Sequence, residues 1–516
     1  MPKFSGGKTR PNVTSPMRTT GVQGTTYEGG LGFERDAKTE LFLLAVTNMV
    51  KEDTFYEAAS ERDKRFKDLA HTVVAEDSAW VREFIPYLRN TMQMRSASIV
   101  LAAHYVHAKG EKSRQVVDSA MSRADEPAEI LAYWAQEYGK NFPQPLKRGV
   151  ADAVERLYTE RSALKYDGQS RAWRMGDVID LVHPKPLTAE QSALYRYLLD
   201  TRHKRESTNT LDLPLIRAWQ FANDIPVELR RARMLTHGIP QGMTWESLSG
   251  WLQGPMDAEA WETVIPQMGY MALLRNLRNF EDAGISKETV EYIHAKISDP
   301  DEVAKSRQFP IRFYSAWKAT DSLLWSRELE YALDHSVSNV PKLEGRTLIL
   351  VDVSGSMYDR MSSRSTVDRW ELAAVFGAAL AKANRGSSDL VAFSTDSYPI
   401  DPARSILQTV DKIRGIGGGG TDTWGAFNQH YNDHDRTIIL TDEQAHPGNI
   451  LRGQDRSAPI YTFNLAGYKM AHSEQGEKGS YVFGGLTDAG FVLLKAIDEL
   501  QHGRWPWELD SGPERA

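Results

Sequence analysis

The sequence predicts a multidomain protein: a long α-helical repeat array followed by an α/β doubly wound, Rossmann-like unit. Two patterns carry this. From about Asp36 to Ser338 apolar residues recur at helical spacing, with almost no strand-like runs. After Leu343-Glu344-Gly345 the pattern changes to short apolar and β-branched runs alternating with helical segments. Length agrees, because 516 residues exceed what one ordinary core serves. The expected divisions are a flexible lead-in over 1–27, rich in Gly, Thr and Pro, then a helical array over 28–342 and the α/β unit over 343–516.

Within the array, Leu41 to Val46 with Met49-Val50, Ile99 to Val106, Ala151-Val154-Leu157-Tyr158 and Met271-Leu273-Leu274-Leu277 each mark a helix face. Breakers fall at Pro86, Pro143, Pro145, Pro184, Pro186, Pro214, Pro226, Pro240, Pro266 and Pro310. Helices between them pair as helix–turn–helix units. Some 300 residues of such pairs suit an α-solenoid, because a bundle of that size cannot bury every helix.

In the α/β unit, Arg346 to Val353 reads as a strand buried on both faces. A helix over Val367 to Ala383 follows, then a strand over Asp389 to Ser394, a helix over Arg404 to Ile413 and a glycine run over Gly417 to Gly420. Trp424 to Tyr431 is helical, Arg436 to Thr441 and Pro459 to Asn464 are strands, and Phe491 to Gln501 is the last helix. In such sheets ligands bind at the carboxyl ends of the strands.

Composition narrows the function. The absence of cysteine removes disulfides, thiolate metal sites and cysteine nucleophiles. No apolar run is long enough to span a bilayer, and the N-terminus lacks a signal-peptide core, so a cytoplasmic protein with no membrane partner is expected. A net charge of −7 makes any nucleic-acid binding a local property.

Asp352-Val-Ser354-Gly-Ser356 closes the first buried strand, Gly-Gly-Thr421-Asp422 supplies a hydroxyl from the glycine loop, and Thr441-Asp442 stands at another strand end. Asp352, Ser354, Ser356, Thr421 and Asp442 are all hard oxygen donors, a set that suits Mg²⁺ with retained water. Asp352 and Asp442 are expected to act partly through water, leaving one position open for an outside oxygen. Alone, Asp-x-Ser-x-Ser is also a common turn and helix cap. Its arrival in order with the glycine loop and the strand-end Thr-Asp favours the metal reading. These residues resemble the metal-ion-dependent adhesion site of von Willebrand A domains, many of which use the cation to capture a partner's acidic residue. No nucleophile or base accompanies the set, the nearest histidine in sequence being His446, so no enzyme is expected.

Further segments extend the likeness. Pro145-Leu-Lys147-Arg148 to Tyr158, Ala163-Leu-Lys165-Tyr166, and Arg171-Ala-Trp173-Arg174-Met-Gly-Asp177 through His183-Pro-Lys185-Pro186 resemble the TROVE module of the Ro autoantigen family, in its bacterial form. Ile225-Pro226, Met271 to Leu277, Phe309 to Lys318 and Thr347 to Met357 resemble further family features, so the likeness runs from about Thr25 onward. It implies a HEAT-like helical ring bridged by a von Willebrand A domain. It further implies Y-like small noncoding RNA on the outside, single-stranded 3′ ends of misfolded RNA in the hole, and an exoribonuclease or another protein as partner. Carried over residue by residue, Lys165, Arg171 and His183 would contact RNA, followed by Lys147, Arg148 and Arg174. There are departures: Asp167-Gly-Gln-Ser170 fills the family's basic positions, Arg171 is displaced by about three places, and Thr26 to Phe33 meets the N-terminal pattern only loosely.

The residues themselves allow this. Between Lys147 and Arg233 there are 16 Lys/Arg against 12 Asp/Glu, clustered at Lys147-Arg148, Arg202 to Arg205 and Arg230 to Arg233. Cations neutralise phosphates, while Trp173 and Tyr166 could stack on unpaired bases. The plainer readings are solvated helix faces, a core Trp173 and a helix-capping His183. The alternative function is a metal-dependent adhesion or assembly factor. A magnesium-dependent phosphatase or nuclease lacks a second metal cluster and a general base.

Overall fold

The computed structural model describes residues 19–25, 31–47, 59–168, 171–205, 210–320, 322–360, 366–402, 404–442, 458–465, 480–484, 489–500 and 505–509. Residues 1–18 and 26–27 of the expected lead-in, 28–30 of the expected array, and His446 lie outside the described residues. One part of that lead-in is corrected: Thr19–Thr25 (β1) pairs antiparallel with Leu31–Arg35 (β2). Thr is a good strand former, and the abundant Gly around it hid the signal.

The array is built from short helices that pack in succession, Ala37–Thr47 on Ala59–Glu76, Ser78–Asn90 on Arg95–His107, Ser113–Ser119 on Gln144–Leu157, and Met175–Val182 on Ala189–Arg202. Ser78–Asn90 shows why these segments are helical. Asp77 caps it, its Oδ1 accepting from the Trp80 amide at 3.0 Å. Trp80, Val81, Phe84, Ile85 and Leu88 then bury one stripe at helical spacing. Pro86, expected as a breaker, lies inside this helix. A proline there removes one backbone hydrogen bond, and the buried aromatic stripe on both sides of it holds the helix together.

One polar node is built into this core. His104 is fully buried, with Nδ1 2.6 Å from the Tyr138 hydroxyl and Nε2 3.0 Å from that of Tyr133. A neutral imidazole satisfies both, one nitrogen donating and the other accepting. Burial first, then the charges of His71, Lys67 and His107, lower its pKa to about 3.

The second unit is a six-stranded sheet of Thr347–Asp352 (β3), Ser388–Phe393 (β4), Ser397–Ile400 (β5), Arg436–Thr441 (β6), Ile460–Asn464 (β7) and Ser480–Gly484 (β8). Its order is β5-β4-β3-β6-β7-β8, and every pair is parallel except the antiparallel edge strand β5. The expectation of a parallel sheet is thus corrected at one edge, where Pro399 is tolerated. Alternation along β3 divides the core. Ile349 and Val351 face helix Arg369–Ala383, whereas Leu348 and Leu350 face Trp424 and Phe427 of helix Thr423–His430. Helices on both faces make the sheet doubly wound.

Both ends of the helical array rest on this unit. At one end Tyr314 and Lys318, from helix Pro310–Thr320, bind Glu371, the Tyr314 hydroxyl donating at 2.9 Å. Asp334 pairs with Lys382 at 2.8 Å and accepts from the Ile406 amide at 2.9 Å. At the other end Trp505 and Trp507 pack among Phe42, Trp80, Phe84 and Tyr87, with ring centroids about 5–6 Å apart. The array is therefore closed through the sheet unit.

Candidate nucleic-acid interface and metal centre

The oxygen cluster forms where β3 and β6 end. Asp352 is fully buried; its Oδ1 accepts from the Ser354 amide at 2.8 Å and its Oδ2 from the Thr441 hydroxyl at 2.5 Å. Ser354 and Ser356 hydroxyls lie 3.5 Å apart. The glycine loop is tied to the same turn, since the Gly355 amide donates to Gly419 O at 3.2 Å and the Gly418 amide to Val353 O at 2.9 Å. A Cβ at Gly417 would lie 1.7 Å from the Tyr358 hydroxyl, so a larger residue there needs the exposed Tyr358 side chain to move. Thr421, two residues beyond Gly419 in that loop, is buried, and so is Asp442, which follows β6.

Burial pushes the Asp352 carboxyl up to about 6; hydrogen bonds from Thr441 and Ser354 oppose the shift and the charge of Asp442 adds to it. The Arg369 guanidinium stands 3.9 Å from Asp442 Oδ2 and donates to Ser356 O at 3.4 Å. Two buried carboxylates with three hydroxyl-bearing residues are a donor set that fits a hard divalent cation.

The basic residues gather around three helices, Gln144–Leu157, Glu160–Tyr166 and Met175–Val182. Thr159 starts the second through a capping box with Ser162. Asp167 then ties the second helix to the third, its Oδ1 accepting from the Met175 amide at 2.8 Å and its other oxygen binding Arg174. Arg174, expected as an RNA contact behind Lys165, Arg171 and His183, is 9% exposed and its guanidinium is held by Asp167, which makes it a structural link.

Lys165 and Arg171 are exposed and converge on one patch. The Lys165 ammonium lies 5.2 Å from the Tyr166 ring centroid, the Arg123 guanidinium lies 5.3 Å from it, and Arg171 is 3.8 Å from Asp125. Arg123 was not anticipated. Its loop is fixed by buried Glu126, which accepts from the Ser122 and Arg123 amides at 2.6 and 3.0 Å and pairs with Arg89. Nothing near Lys165 in the sequence points to it.

His183 stands at the far end of Met175–Val182, about 13.5 Å along the axis from Arg174 at 1.5 Å per residue. It caps the helix through its backbone, at φ 50°, while its side chain stays exposed. The cap uses the backbone N–H, to Ile179 O, and not the imidazole. Lys147 is half-buried and Arg148 exposed on the neighbouring helix. The other basic clusters are largely committed elsewhere. Arg202 pairs with Asp177 and His203 with Asp180, while Arg231 pairs with Asp257 and Glu259. Arg230 is buried and donates to the Trp251, Ile225 and Asn223 carbonyls.

Two open clefts flank Met175–Val182. One, of about 380 Å³, is lined by Phe142, Trp173, Asp177, Asp180, Leu181 and Arg202. The other, of about 400 Å³, includes Asp180, His183, Tyr195, Arg196 and Arg205. Trp173 meets Phe142 edge to face at 6.1 Å and is half-buried.

Comparison with known proteins places this geometry. The TROVE domain family matches residues 225–376, from the later helices into the first helix of the sheet unit. The chain is 26% identical over 324 residues to the RNA-binding protein RO60 of Caenorhabditis elegans, covering 58% of this chain and 48% of that protein. It thus spans about half the length of that curated relative. The crystal structure of the Ro (Rsr) protein of Deinococcus radiodurans superposes with a TM-score of 0.68 at 17% identity, over 91% of this chain and 100% of the other. The two chains share one overall fold. A TROVE match over 225–376, a Ro relative in sequence and the Ro architecture meet in one molecule, and by all three the chain is similar to Ro proteins.

Proposed function

We propose that this protein is a non-catalytic RNA-binding scaffold of the Ro type. It would hold a small Y-like noncoding RNA and admit single-stranded 3′ ends of misfolded RNA, serving RNA quality control in the cytoplasm. The observation that carries the reading is the exposed patch of Lys165, Arg123 and Arg171 around Tyr166, with His183 and Arg148 on adjoining helices. Exposed cations neutralise phosphates, and a half-exposed aromatic ring stacks on an unpaired base regardless of its identity. The name of the worm relative, an RNA-binding protein, supports it. An exoribonuclease is the protein partner this reading favours.

A gel-shift titration tests it. Structured RNAs with 3′ tails should bind more tightly than duplex DNA, and Lys165→Ala, Arg171→Ala and His183→Ala together should weaken them at least tenfold. Equal binding of DNA, or no effect of the triple change, would sink the reading.

The oxygen cluster is proposed as a metal-ion-dependent adhesion site in a von Willebrand A domain over 343–516, beside a TROVE-like array over 28–342. Ser354, Ser356 and Thr421 would hold Mg²⁺ directly, with Asp352 and Asp442 partly through water. The cation supplies an open coordination position for a partner's carboxylate. That cluster also favours a second reading, a metal-dependent assembly factor without RNA. Purified protein separates the two: RNA binding predicts absorbance biased to 260 nm that ribonuclease removes.

A further inference from the structure

The cleft beside Trp173 adjoins the basic patch and combines three features. Its walls are aromatic and aliphatic, from Phe142, Trp173 and Leu181. Its rim adjoins exposed Arg171, two residues from Trp173. Its polar lining is Asp177, Asp180 and Arg202, two acids to one base, which is unexpected in a surface proposed to meet RNA.

The two acids differ. Asp177 is committed to the fold, with Oδ2 accepting from the Arg174 amide at 2.9 Å and Oδ1 from Arg202 Nε at 2.6 Å. Among the described residues Asp180 gives only Oδ2, to His203, and its side chain is half exposed. A carboxylate oxygen carries two lone pairs, so Asp180 can still accept at both oxygens.

We propose that this cleft receives one unstacked guanine of a bound RNA, stacked on Trp173 and read by the Asp180 carboxylate. The inference rests on the RNA-binding reading above and adds base selectivity to it. Guanine offers an N1–H and an N2–H side by side on its pairing edge, matching the two oxygens of a carboxylate. Uracil offers one N–H between two carbonyls, and adenine and cytosine each set an acceptor nitrogen beside the amino group, facing a carboxylate oxygen. The volume, about 380 Å³, lies at the low end of small-molecule sites, adequate for a base and part of its sugar.

The test is fluorescence anisotropy of the full chain with labelled heptamers, all-uridine or carrying one central G, A or C. The G heptamer should bind about tenfold more tightly than the others, the scale of one bidentate base contact. Asp180→Asn should bring the ratio of G to U affinities within twofold, because the amide presents N–H to one guanine donor. Trp173→Phe, which keeps a ring, should retain the preference, and Trp173→Ala, checked for folding by circular dichroism, should lose it. Lys165→Ala should weaken every heptamer while preserving the ratio. Equal affinity for all four heptamers, or a preference that survives Asp180→Asn, overturns the cleft assignment and leaves RNA binding standing. Absence of binding to any RNA overturns both.

Discussion

The Tyr314 hydroxyl donates to the Glu371 carboxylate at 2.9 Å, across the seam between the helical array and the sheet unit. Glu371 also binds Lys318, and its Oε2 accepts from the Asp368 amide at 2.9 Å, so one carboxylate fastens the seam and starts helix Arg369–Ala383. Tyr314→Phe should cost about 1 kcal/mol, the net value of one hydrogen bond, and Glu371→Ala about 3–5 kcal/mol, because it leaves Lys318 facing an empty site. Urea midpoints check both. Equal effects would show that the carboxylate does not organise the seam.

The Trp505–Trp507 contact closes the opposite end. Trp505 is nearly fully buried, 5.0 Å from the Trp80 ring centroid and 5.4 Å from that of Phe42. Trp505→Ala should destabilise by about 3–5 kcal/mol, as for other buried aromatics. It should also expose helix Ser78–Asn90 to hydrogen exchange while helix Pro310–Thr320 stays protected. Uniform loss of protection would refute a local latch.

Acid should weaken the array through His104. Its folded pKa of about 3 lies below the ordinary 6.5, so the unfolded chain takes up the proton first. The stability of the neutral form is complete above about pH 6.5 and is lost as pH falls toward 3, by about 1.4 kcal/mol per unit. His71 and His107 are lowered too, chiefly by burial, and act in the same direction. His104→Asn should be less stable at pH 7 yet show a shallower fall between pH 6 and 4 in urea titrations. Parallel curves would exclude His104 as the titrating group.

Arg369 is a built-in cation beside the oxygen cluster, 3.9 Å from Asp442. If Mg²⁺ takes its electrostatic place, Arg369→Gln should tighten Mg²⁺ binding several-fold in calorimetry, and Asp352→Ala should abolish it. Asp352→Ala should leave RNA affinity within about twofold. A large loss of RNA binding by folded Asp352→Ala protein would overturn that division of labour.

The strands that seat the oxygen cluster were legible because burial on both faces forces continuous apolar runs. β3 and β6 read that way, and both end on the residues that matter, Asp352 and Thr441. The edge strand Ser397–Ile400 was not, since Ser-Tyr-Pro-Ile is half exposed and contains a proline. Charge told less than position. Arg171 and Arg174 are three residues apart and look alike in sequence, yet Asp167 draws only Arg174 inward. Arg123 reaches Tyr166 from more than forty residues upstream, a proximity that only packing around Glu126 creates. Pro86 shows the converse, a breaker overridden by burial on either side of it.

The Trp505–Trp80 contact also constrains how the protein is made. The two residues are separated by more than four hundred positions, so Trp80, Phe84 and Phe42 emerge from the ribosome long before their partners exist. At roughly 5–20 residues per second the interval is on the order of 20–80 s, during which an aromatic face waits uncovered. The core around the first helices is therefore completed only when the Trp-Pro-Trp segment arrives, as one of the last steps of folding.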